Sequence, residues 1–200
     1  MKTSIKIAVA ALVIASFGFE GCKKGPNDPF MSLHTRKGRV AGDWKVTKGE
    51  GTNVNGSSTT TWSYDGTTYT STTGSSTTTT SETMTMNFEK DGTFKTVTTV
   101  TGTGYSDVET VTGTWNFTGG VGDDKNKDHI VMKTLTDTDV QTIGSSSNTS
   151  TNTYTGDDAP VSIMYIDELK NKEIVLTWDG TTTSGSSTSS SKGSQTLSPQ

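Results

Sequence analysis

The chain of 200 residues has one cysteine, Cys22, two histidines, His34 and His129, four prolines and a hydrophobic content of only 28%. A lone thiol excludes an intramolecular disulfide and any metal site built on paired thiolates. The scarcity of histidine removes most routes to nucleophilic catalysis. A Ser-His-acid set would have to use His129, and its neighbour Asp128 points to the opposite face of a strand, so their adjacency makes no dyad. The low apolar share excludes a large core, and charged residues reach just 19%. What is abundant is Thr and Ser, which together fill roughly a third of the positions. Ser and Thr compete with helical hydrogen bonds, and β-branched Thr suits a pleated surface, so the composition points to strands joined by polar loops.

The N-terminus carries an address. Lys2 and Lys6 precede the apolar run Ile7 to Phe19, which is shorter than the roughly 18 residues a spanning helix needs and reads as an export signal. The run ends at Phe19-Glu20-Gly21-Cys22. A lone cysteine after a small residue at this point resembles the lipobox of bacterial lipoproteins, in which the cysteine is lipidated on sulfur and becomes the mature terminus. Cleavage after Ser16-Phe17-Gly18, leaving Cys22 a free thiol, stays open beside it. The expected organisation is a signal peptide over residues 1–21, a flexible basic tether over 22–38 and a folded domain over 39–198. The lipobox implies acyl chains, palmitate among them, and two or more would hold the protein on a membrane it does not span. From Val40 to Gln200 there are 10 basic and 19 acidic residues, a net of −9. Such a body repels nucleic acid, which is excluded as a partner.

From Val40 onward, period-two alternation recurs between turn signals, as antiparallel strands require. Trp44 and Val46 alternate with polar residues. Trp62 and Tyr64 precede Asp65-Gly66, and Tyr69 follows, a hairpin signature. Met84, Met86 and Phe88 share one face before the turn Lys90-Asp91-Gly92, after which Phe94 opens the returning strand. Val111, Gly113, Trp115 and Phe117 lie on one side of the next. His129 to Lys133, Val161 to Ile166 and Lys172 to Trp178 supply three more segments, and Gln195 to Leu197 is placed to close the sheet. The inward list also takes in Ile163, Tyr165, Ile174, Leu176 and Trp178, each worth about 1.5–3 kcal/mol on full burial. Thr72 to Ser81, Gly144 to Thr153 and Thr181 to Ser194 read equally as long loops or as extended strands. An all-β, antiparallel, up-and-down barrel of about eight strands with Thr- and Ser-rich loops meets these constraints, because closure removes sheet edges without a large apolar inventory.

Three short motifs carry a resemblance. Arg36-Lys37-Gly38-Arg39-Val40-Ala41-Gly42-Asp43-Trp44-Lys45-Val46 resembles the entry strand of the lipocalin-like lipoproteins of Bacteroidetes, with the lipocalin Gly-x-Trp as Gly42-Asp43-Trp44. Met86-Asn87-Phe88-Glu89-Lys90-Asp91-Gly92-Thr93-Phe94 is similar to a hairpin of that group, and Gly113-Thr114-Trp115-Asn116-Phe117 to its returning strand. The resemblance implies a barrel whose entry tryptophan closes the bottom, in a lipid-anchored envelope protein; Lys23 in place of an inner-membrane-retention Asp after Cys22, with no acidic run resembling a surface-export signal, favours the periplasmic side of the outer membrane.

Enzyme chemistry finds no support, and no cofactor is expected. Asp123-Asp124-Lys125-Asn126-Lys127-Asp128 contains Asp-x-Asn-x-Asp, but it lacks the glycine and distal glutamate of a calcium loop, and its lysines oppose a cation. It reads as a solvated hairpin tip, and no metal site is assigned. Gly119-Gly120-Val121-Gly122 lacks the Lys-Ser/Thr partner of a phosphate loop. Two functions remain. Trp62, Tyr64, Met84, Met86 and Trp115 are candidates to line a pocket for a small apolar ligand, with core filling as the competing role. Alternatively, the Thr-rich segments or a sheet edge serve protein interaction or adhesion with an envelope partner.

Overall fold

The structure, a computed structural model, describes residues 35–119, 128–184 and 187–200. The signal, Cys22, His34, most of the tether and residues 120–127 of the Gly- and Asp-rich stretch lie outside them. A short helix α1 (Arg36–Val40) comes first. Eleven strands follow in one antiparallel sheet: β1 (Gly42–Asn55), β2 (Ser58–Tyr64), β3 (Thr68–Thr73), β4 (Ser76–Phe88), β5 (Thr93–Gly102), β6 (Tyr105–Gly119), β7 (Asp128–Ile143), β8 (Ser146–Thr153), β9 (Val161–Leu169), β10 (Ile174–Ser184) and β11 (Ser187–Pro199). A 3-10 turn, Gly156–Asp158, interrupts them where Asp157-Asp158 signals a turn.

The turns follow from local chemistry. Asp65 Oδ1 accepts from the Thr67 and Thr68 amides at 3.0 and 2.8 Å, and Asp91 Oδ1 from the Thr93 amide at 2.9 Å. Gly66 and Gly92, at φ 98° and 93°, supply the left-handed residue each turn needs.

Strands β1 to β7 are neighbours in sequence order, and β9, β10 and β11 complete the ring by pairing β7 to β9 and β11 to β1. The result is a closed ten-stranded up-and-down barrel, with β8 attached outside the ring by β7 alone. Its ends differ. At one end Gly42–Lys45 of β1 pairs directly with Thr85–Phe88 of β4, so β2 and β3 drop out and eight strands remain at that level. At the other, β2 and β3 are inserted and the ring widens.

Barrel width tracks strand number, so the narrow end fills with side chains and the wide end does not. Val40, Trp44, Val46, Met86, Phe88, Phe94, Trp115, Ile130, Met132, Ile166, Leu169, Ile174, Leu176 and Leu197 form the packed core. Helix α1 stoppers it. Thr35 caps the helix through its hydroxyl, Arg39 is buried and donates to the Leu169 carbonyl at 2.5 Å, and Arg36 pairs with the buried Asp128. Trp44 Nε1 donates to the Val40 carbonyl at 2.8 Å, tying the entry strand to the helix. Residues 36–38, expected as tether, thus belong to the folded body.

Of the two readings left open for the Thr- and Ser-rich stretches, the structure takes the extended strand: residues 76–81 lie in β4, 146–153 in β8 and 187–194 in β11. Hydroxyl pairs such as Thr60–Thr73 at 2.6 Å and Thr112–Thr136 at 2.5 Å stitch neighbouring strands where apolar contacts are few. Ile163, placed inward from alternation, is outside, 52% exposed with Val161 at 57%. Apolar residues occupy both parities of β9, and its register decides between them. Met164 and Ile166 pair with the inward Ile130 and Asp128, which leaves Ile163 and Tyr165 opposite Val131 and His129 on the outer face.

Candidate functional site

Three bulges set which residues face the interior, those in β1 and β7 at the wide end and that in β9 at the narrow end. In β1 the register shifts between Val46 and Lys48. Inward residues therefore change from Trp44 and Val46 to Gly49, Gly51 and Asn53, partnered by Tyr64, Trp62 and Thr60 of β2. In β7 the shift against Thr112 and Gly113 moves the interior from Ile130 and Met132 to Asp137 and Asp139. In β9, Asp167 is the extra residue between the pairs Glu168–Val175 and Ile166–Leu176.

The first bulge builds an aromatic wall. Trp62 lies directly on Gly51, where a β-carbon would come within 2.7 Å of the indole, and Trp178 lies on Gly193 at 2.5 Å by the same measure. Trp62 and Trp178 are nearly parallel, 9° apart with centroids at 5.9 Å, and Tyr69 continues the run 6.0 Å from Trp62 at 20°. Strand β2 contributes Trp62, β3 Tyr69 and β10 Trp178, and glycines on the intervening strands let the rings lie against the backbone. These rings, with Tyr64, Met84, Glu82, Asn53, Ser191 and Gln195, surround a cavity of about 250 Å³. Tyr64 donates to the Glu82 carbonyl at 3.2 Å, and Gln195 Nε2 approaches the Met84 sulfur at 3.7 Å. Beyond Thr177, β10 is no longer paired with β9. A cleft of about 810 Å³ opens there, sharing Asn53, Trp178, Ser191 and Gln195 with the cup and bordered by Val161, Ile163 and Tyr165.

The opposite wall is acidic. Glu109 pairs with Asp139, and Val111 with Asp137, and Glu109, Asp137 and Asp139 line a second cavity of about 420 Å³ with Asp107, Thr98, Val100, Ser150 and Asn152. Burial first, then the neighbouring Glu109, holds Glu82 above the ordinary carboxylate range. Burial likewise raises Glu109, with Asp137, Asp139 and Asp107 adding repulsion. Asp107 and Asp139 share a hydrogen bond that lowers the first and raises the second. Among the described residues, no cluster of His, Cys, Asp and Glu has the geometry to hold a metal ion.

Of the five pocket candidates, the structure brings three together. Trp62, Tyr64 and Met84 line the cup, with Tyr64 at its floor. Met86 and Trp115 lie deeper, in the eight-stranded section, and are core residues. Trp115 stacks edge-on against Phe88 at 5.3 Å, donates to the Glu89 carbonyl at 2.8 Å and carries Lys37 over its ring at 5.5 Å. His129 rests edge-on against Tyr165 on the outer face, while Asp128 points inward to Arg36. Cys22 lies outside the described residues. Sequence reasoning missed Glu82 and Tyr69 as cup residues and the acidic wall altogether. Glu82, two positions before Met84, was the available signal, because a carboxylate in phase with apolar residues marks a wet interior. No family model, curated protein or solved structure matches the chain.

Proposed function

We propose that this protein is a noncatalytic, lipid-anchored envelope lipoprotein of lipocalin-like type that holds a small molecule in the wide mouth of its barrel. The observation that carries this reading is the Tyr69–Trp62–Trp178 run, three nearly parallel, half-buried rings that border an open cavity at the upper edge of the core. Aromatic surface left half-open in a protein this short of apolar residues is costly in stability unless it serves binding. The closed narrow end supplies a rigid base for it, and Cys22 supplies the attachment, on the periplasmic side of the outer membrane.

Uptake of an uncharged fluorescent dye of the phenylnaphthylamine type tests the carrier reading. The full chain takes up the dye, and Trp62→Ala and Trp178→Ala each lose most of that uptake, while His129→Ala leaves it unchanged. Absence of uptake by the full chain sinks the idea. Fractionation tests the anchor: Cys22→Ser moves the protein from the membrane to the soluble fraction.

One observation favours a second reading, adhesion or interaction with an envelope protein. Strand β8 pairs only with β7 among the described residues, and its eight residues, all Ser, Thr and Asn, are exposed, leaving a polar strand edge open to strand addition. Pull-down from envelope extracts with and without Gly144–Thr153 separates the two. Equal recovery counts against β8 as a docking edge.

A further inference from the structure

The cup's chemistry narrows its occupant, and the narrowing rests on the carrier reading above. The rings of Trp62, Tyr69 and Trp178 offer negative π faces, and Glu82, whose main chain is bonded to Tyr64 and Thr67, brings into the same cavity a carboxylate with no hydrogen-bond or ion-pair partner among the described residues. Asn53, Ser191 and Gln195 complete the lining with neutral polar groups. No Lys, Arg or His lines the cup, the adjoining cleft or the acidic cavity. A carboxylate-bearing ligand would meet Glu82, Glu109 and Asp139 with no cation to receive it, and a purely apolar one would leave Glu82 desolvated and unpaired.

We infer that the cup takes an organic cation, an ammonium or guanidinium group carried on a small apolar or aromatic body. The cation sits against the π faces with Glu82 as its counter-ion, and the apolar part rests on Met84 and Tyr64. The cavity of about 250 Å³ admits a group of roughly one ring with a substituted ammonium. Five carboxylates, Glu82, Asp107, Glu109, Asp137 and Asp139, give the mouth a field that draws such a cation in.

Three probes of similar size and different charge test this on the full chain carrying Cys22→Ser, titrated by calorimetry: benzyltrimethylammonium, benzyl alcohol and benzoate. The ammonium binds about 10-fold more tightly than the alcohol, and benzoate binds weakest. Glu82→Gln brings the ammonium down to the alcohol's affinity and leaves the alcohol unchanged, which also shows that the variant is folded. Acidification weakens the ammonium alone as Glu82 takes up a proton, the other ionisable groups facing it being Tyr64, Tyr69 and Glu109. Equal affinity for ammonium and alcohol, both sensitive to Trp62→Ala, overturns the cation inference and leaves the carrier reading standing. Failure of all three probes to bind, or binding that Trp62→Ala does not alter, overturns both.

Discussion

Gly113 occupies the tightest position in the barrel wall. A β-carbon there would lie 2.0 Å from the Lys133 carbonyl oxygen and 2.7 Å from Phe94 Cε1, so either the bulge of β7 or the core must move. Gly113→Ala is expected to destabilise by about 1–3 kcal/mol in a thermal melt, the usual cost of overpacking. Gly180→Ala, with open space around the added methyl, shifts the melt little. Gly51 is crowded as Gly113 is, but the ring it supports is Trp62 of the cup and not a core residue. A β-carbon on Gly51 would meet the Lys192 carbonyl oxygen at 2.5 Å as well as the indole at 2.7 Å, so Gly51→Ala displaces the indole and spreads β1 from β11, and dye uptake and the melting temperature fall together.

The one α-helix among the described residues is five residues long and seals the narrow end. Helix α1 is too short to be stable alone and depends on its seat. That seat is Arg39 on the Leu169 carbonyl, Arg36 on Asp128 and Trp44 on the Val40 carbonyl. Asp128 is 1% exposed, so removing its carboxylate strands a guanidinium at the narrow end. Asp128→Ala therefore costs about 3–5 kcal/mol in urea unfolding. Replacing Asp128 and Arg36 together by apolar residues costs less than the sum of the two single changes, because no buried charge is orphaned. Strand β8 is the opposite case, exposed along its length and paired on one side. Its removal should leave the melting transition of the barrel nearly unchanged. The segment Thr72 to Ser81, equally rich in Thr, cannot be cut in the same way, because it runs through β3 and β4 and the ring would open.

Across the whole molecule, the acidic mouth sets a pH dependence whose sign follows from which carboxylates are raised. Glu82, Glu109 and Asp139 are held above their ordinary range. The native state therefore binds protons more readily than the unfolded chain, and stability grows as pH falls through that raised range and is lost as pH rises through it. Asp65, Asp91 and Asp107 are held below the ordinary value of about 3.9 by the hydrogen bonds they accept, and their contribution disappears in strong acid. The melting temperature should accordingly peak at mildly acidic pH. Glu109→Gln should melt higher than the parent at neutral pH and gain less on acidification.

The amino-acid sequence determined the class of fold and the turns on its own: alternation around Trp44, Met86 and Trp115, with Asp-Gly at residues 65–66 and 91–92, is local information, and local hydrogen bonds realise it. It also located the ring-rich strand β2, because Trp62 and Tyr64 stand alone among threonines. It could not determine which face of β9 is buried, since both parities are apolar, nor that residues 137 and 139 point inward, since strict alternation from Met132 puts them outside. Those choices belong to the tertiary structure. A bulge adds one residue and exchanges the two faces of everything beyond it, and where it falls depends on partner strands far away in the chain. The bulges in β1 and β7 placed glycines beneath the indoles on one wall and carboxylates on the other, and so turned the wide end of a packed barrel into a charged aromatic cup.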